Sequence, residues 1–100
     1  MQQEFTRYLL FLSLIEGVAT PLPLIRAHVA WLRGLEQAGA LVLAGPLVSR
    51  PGGLVIVKAE SLEAARSMAA SDPFVQQGAR RVDVVEWALS CEGNNHMGMG

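Results

Sequence analysis

His28 is the residue in this chain best suited to move a proton near neutral pH, because an imidazole titrates there without tuning. Leu24, His28, Trp31 and Leu35 recur at spacings of four, three and four, which puts them on one face of a helix. A histidine on such a face is either a core residue bonded to backbone or a general base. Asp72 is the carboxylate that could orient it. Aspartate before proline, here Pro73, is a common turn residue. If the end of a second helix brings Asp72 to the same sheet face, its carboxylate can reach His28. Such a bond fixes the tautomer and makes the other ring nitrogen a stronger base.

Other polar residues offer less. Ser71, Ser13, Tyr8 and Arg26 could face a substrate, but each residue type also serves as a cap, a strand position or a surface group. Gly45-Pro46 and Gly52-Gly53 lack the strand, glycine loop and helix order of a phosphate site. They read as turns whose backbone could line a pocket mouth. The single cysteine, Cys91, excludes an intrachain disulfide and reads as a bystander near the end of the last strand. His28 and His96 are far apart, and neither has paired-ligand spacing, so no metal site is expected. No cofactor is expected either.

The elements that must position His28 and Asp72 follow in order. Phe5 to Ile15 is apolar on both alternating faces, as in a strand covered on both sides. Pro21 and Pro23 suit the entry to a helix from about Leu24 to Ala38, closed by Gly39. Leu41–Ala44 and Leu54–Ala59 read as a hairpin, the first strand stopped by Gly45-Pro46. Ser61 caps a second helix to about Ser71, with Glu63 at its positive end, and Asp72-Pro73 stops it. Val82 to Leu89 alternates as a last strand, with Val85, Trp87 and Leu89 on one side. The fold class is therefore α+β: a ferredoxin-like βαββαβ domain, an antiparallel sheet with two helices on one face. It occupies residues 1–90, and 91–100 read as a flexible tail.

Composition narrows the partners. One hundred residues make one domain with a small core, burying roughly 60–65% of the unfolded surface. Yet 51% of the residues are hydrophobic, a surplus that points to a subunit interface and a homodimer. A net charge of −1 with scattered Lys and Arg leaves no basic stripe for nucleic acid. The apolar run Tyr8–Ile15 after Arg7 looks like a short leader, but a membrane span needs about 20 residues. Since the run completes the sheet, the chain reads as a cytoplasmic protein with no membrane partner.

Several segments together resemble the YCII family of small proteins. They are Arg26-Ala27-His28-Val29, Leu41 to Leu47 through Ala44-Gly45-Pro46, Ser61 to Arg66, Asp72-Pro73-Phe74-Val75 with Gly78, and Val85-Glu86-Trp87. The resemblance implies a dimeric α+β barrel like that of muconolactone isomerases, with His28 and Asp72 as an active-site dyad. The family often has arginine three residues before the histidine, whereas Arg26 is two before it. The resemblance also implies the chemistry: dehydrochlorination of a chlorinated hydroxyhydroquinone without metal or organic cofactor. In that expectation Arg26 or Ser71 holds a substrate oxygen, and Tyr8, Trp31 and Phe74 supply apolar walls beside Gly45 and Pro46. A muconolactone-type isomerase and a non-catalytic dimer that binds a small aromatic ligand are the alternatives.

Overall fold

Pro21 opens the first helix from an extended conformation, and Pro23 falls in its first turn, where a missing N–H leaves nothing unsatisfied. The computed structural model describes residues 3–100, and in it this helix, α1, spans Leu22–Gln37. Gly39 ends it at φ +74°, with Gly39 N–H donating to Glu36 O and Ala40 N–H to Leu35 O. That paired closure needs a left-handed residue, which glycine adopts without steric penalty.

Four strands surround this helix in sequence: β1 (Thr6–Leu14), β2 (Leu41–Pro46), β3 (Gly53–Val57) and β4 (Arg80–Ala88). They form one antiparallel sheet in the order β2-β3-β1-β4, the ferredoxin-like arrangement. β2 runs on through Gly45-Pro46 rather than stopping before them, and Pro46 pairs with Gly53. β2 lies at the sheet edge, where a proline can sit without removing an interior ladder bond.

The second helix, α2 (Leu62–Ala70), starts at Ser61, whose hydroxyl accepts from Ala64 N–H at 3.0 Å. Asp72-Pro73 ends α2 and also begins a new four-residue helix, α3 (Pro73–Gln76). Asp72 caps it through Oδ1, and Pro73 takes the first helical position.

Strand alternation divides the sheet. Tyr8, Leu10 and Leu12 of β1 and Val55 and Val57 of β3 face the helices. They pack with Ala65 and Ala69 of α2 and with Trp31, Leu32 and Leu35 of α1. The opposite face carries Leu9 between Ile56 and Val85, with Phe11 beside Leu54. Leu43 and Trp87 on it are 67% and 41% exposed.

Residues 91–100, read from sequence as a flexible tail, contain a 3-10 turn at Glu92–Asn94 and a left-handed turn at Asn95–Gly98, where every φ is positive. The Asn94 side chain accepts from Cys91 N–H and Met97 N–H and donates to Leu89 O. No helix among the described residues is long and apolar enough to cross a membrane.

Candidate active site

The break between α2 and α3 puts Asp72 fully inside the protein, facing the middle of α1. Its Oδ1 accepts from His28 Nδ1 at 2.8 Å and from Phe74 N–H at 3.0 Å. A carboxylate can only accept, so Nδ1 carries the proton in the neutral ring and Nε2 holds the free lone pair. Nε2 makes no hydrogen bond among the described residues. The His28 side chain is 12% exposed. The other Asp72 oxygen, Oδ2, is buried without a hydrogen-bond partner among the described residues.

Two rings hold the imidazole. Phe74 stacks on it with centroids 4.1 Å apart and planes 11° from parallel, and Trp31 sits at 5.6 Å, tilted by 32°. Trp31 Nε1 donates to Ser71 Oγ at 2.8 Å, and that hydroxyl donates to Met68 O. This chain of bonds ties α1 to the end of α2 behind the histidine. On the Phe74 ring also lies Arg80, its guanidinium carbon 4.5 Å from the centroid. Arg80 Nη1 donates to Thr20 Oγ1 at 3.0 Å and to Ala79 O at 2.8 Å.

His28, Phe74 and Arg80 line a cavity of about 530 Å³ between α1 and the end of the sheet. Leu12, Val55, Ile25 and Val29 give it apolar walls, and the β2–β3 turn with Gly45, Pro46, Gly52 and Gly53 forms its rim. The volume suits a small organic molecule. Gly52 has φ +109°, and a Cβ there would stand 2.5 Å from Leu12 O. The rim is therefore built around a residue without a side chain.

The sequence-predicted residues separate into groups. His28, Phe74, Gly45 and Pro46 line the cavity, with Asp72 directly behind His28. Trp31 and Ser71 bond to each other and do not line it. Tyr8 lies further along β1 in the core, 2% exposed, its hydroxyl 3.4 Å from Glu86 Oε2. Burial, then the charge of Glu86 and its hydrogen bond, raise the Tyr8 pKa above its ordinary 10.0. Arg26 is exposed, since two residues along a helix turn it about 200° from His28. Sequence reasoning misses Arg80: it precedes the alternating stretch from Val82, so no local pattern marks it. Among the described residues no group of His, Cys, Asp and Glu could hold a metal ion.

Comparison with known proteins places the chain. Over 65 residues it is 31% identical to an uncharacterized protein, YjpA, of Bacillus subtilis strain 168, covering 65% of this chain and 76% of that protein. Its fold matches 5-chloro-2-hydroxyhydroquinone dehydrochlorinase (TftG) from Burkholderia phenoliruptrix AC1100, solved in complex with 2,5-dihydroxybenzoquinone. There the TM-score is 0.62 at 23% identity, over 81% of this chain and 92% of that one. The YCII-related domain profile matches residues 6–88, and the chain belongs to that family.

Proposed function

We propose that this protein is a cofactor-independent lyase that removes HCl from a chlorinated hydroxyhydroquinone of the 5-chloro-2-hydroxyhydroquinone type. The observation that carries the proposal is the His28–Asp72 hydrogen bond, which leaves Nε2 of a cavity-lining histidine unprotonated. His28 Nε2 takes the proton of the ring hydroxyl beside the chlorine-bearing carbon. The imidazolium gives that proton to the chlorine-bearing carbon as the ring becomes its keto tautomer, which frees Nε2 to take the second hydroxyl proton. Loss of the hydroxyl proton para to the new carbonyl then pushes electrons through the ring, and the C–Cl bond breaks with its pair on chloride. The products are 2-hydroxy-1,4-benzoquinone and HCl, so no oxidant is needed. Asp72 orients the imidazole and stabilises its protonated form. General base catalysis supplies about 10²–10⁴-fold, appropriate for an activated phenol. The dehydrochlorinase TftG, which shares the fold, supports the reading.

The working form in this proposal is a homodimer. Two copies joined through Leu9, Phe11, Ile56 and Val85 would cover the open sheet face, giving a dimeric α+β barrel.

The test is incubation with 5-chloro-2-hydroxyhydroquinone under nitrogen, following free chloride and quinone absorbance. His28-dependent chloride release is expected. Release equal to the uncatalysed rate rejects the lyase, and quinone binding that survives His28→Ala then favours a non-catalytic ligand-binding protein.

A further inference from the structure

Among the described residues, Arg80 is the one permanently charged side chain on the cavity wall, and no Asp or Glu lines that wall. Both protons of its Nη1 are used, by Thr20 Oγ1 and Ala79 O, and the ring of Phe74 supports the guanidinium. The group is thus held in place by two hydrogen bonds and a ring contact. Nε and Nη2 make no hydrogen bond among the described residues. An arginine fixed in this way has donors to give and little side-chain entropy left to lose on binding.

We infer that Arg80 is an oxyanion receptor, and that the cavity takes a small ring bearing an ionised oxygen, bound by Arg80 while His28 addresses a second oxygen. Phe74 contacts both residues, so imidazole and guanidinium carbon are no further apart than the sum of those two contacts. One oxygenated six-membered ring can touch both. Apolar walls desolvate the pair, which strengthens a charge-assisted hydrogen bond relative to the same bond in water. The inference rests on the cavity being the substrate site and selects among substrates by charge: phenolates and enolates conjugated to a carbonyl are retained over neutral phenols. In the lyase reading, loss of a hydroxyl proton leaves an oxyanion on the ring until its electron pair shifts into the ring, and Arg80 is a cation available to that oxyanion.

The experiment measures binding, which separates it from turnover. 2,5-Dihydroxybenzoquinone, ionised at neutral pH, and hydroquinone, neutral there, are titrated into the wild type, Arg80→Gln and Arg80→Lys. Wild type is expected to prefer the ionised ligand by roughly tenfold or more. Arg80→Gln should erase that preference while leaving hydroquinone affinity within about threefold. Arg80→Lys should restore part of it, and added salt should weaken only the ionised ligand's binding. Equal losses for both ligands would make Arg80 a packing residue and overturn the inference. So would a wild type that shows no preference or does not bind the quinone. Should Arg80→Gln fail to fold, the wild-type preference and Arg80→Lys still decide. A wild type that releases no chloride yet binds the ionised ring through Arg80 rejects the lyase and leaves the receptor standing.

Discussion

Asp72 Oδ1 sits 2.8 Å from His28 Nδ1 and also accepts the Phe74 backbone N–H, so one buried oxygen both caps α3 and orients the imidazole. Asp72→Asn retains an acceptor for either bond but removes the charge that stabilises protonated His28. Chloride release should fall by about 10²-fold or more, with the fold intact. Asp72→Ala also strips the cap and should cost about 1–3 kcal/mol, read as a lower urea midpoint at unchanged slope.

Phe74 is the surface against which both His28 and Arg80 rest. It is also nearly fully buried. Phe74→Ala should destabilise the protein by about 3–5 kcal/mol. Phe74→Leu should keep most of the stability and lose the flat contact with both groups. Its expected signature is therefore a fall in activity larger than the shift in denaturation midpoint.

Glycines at two positions should respond with opposite signs. Gly52→Ala forces a Cβ against Leu12 O at a φ that side chains rarely adopt, a strain of about 1–3 kcal/mol before the clash is counted. Gly34 lies in α1, and a Cβ added there would meet nothing within 4 Å, so Gly34→Ala should stabilise by about 0.5–1 kcal/mol. Thermal midpoints of the two variants check both signs.

The open sheet face predicts its own test. Wild type should sediment at twice the 10.7 kDa chain mass. Phe11→Glu places a charge among Leu9, Leu54 and Ile56 and should yield monomer. Monomeric wild type would reject the dimer.

Tyr8 ties stability to alkaline pH. Its pKa is raised in the folded state, so the protonated phenol favours folding. That contribution is whole below pH 10.0, where the unfolded phenol is also protonated, and it is lost as pH rises through the folded value. Urea midpoints should decline above pH 10.0, and Tyr8→Phe should make the decline shallower.

Much of this geometry follows from spacing alone. The 4-3-4 recurrence around His28 marks α1, and the two-sided apolar pattern of β1 matches a strand with core on one face and an open apolar surface on the other. Asp72-Pro73 signals the end of α2, and the same pair is an N-cap followed by a first-position proline. The four residues of α3 are too few to show periodicity, so the restart is visible only through that cap. Arg80 escapes for a different reason. It is brought to the cavity by the turn at Gly78, φ +72°, and by β4 starting before its alternation does. Tyr8 and Ser71 have chemistry compatible with a site, and only packing separates them from the cavity.

Leu12 and Val55 serve two purposes: they belong to the central apolar cluster and they also wall the cavity. Ligand choice and folding therefore draw on the same side chains in a chain with little core to spare. Enlarging the floor at either residue for a bulkier ring would erode the fold along with the old preference. The β2–β3 rim carries no such double duty at Gly45 and Pro46, both exposed. Divergence among proteins built on this plan should accumulate at that rim and at Arg80 before it reaches the floor.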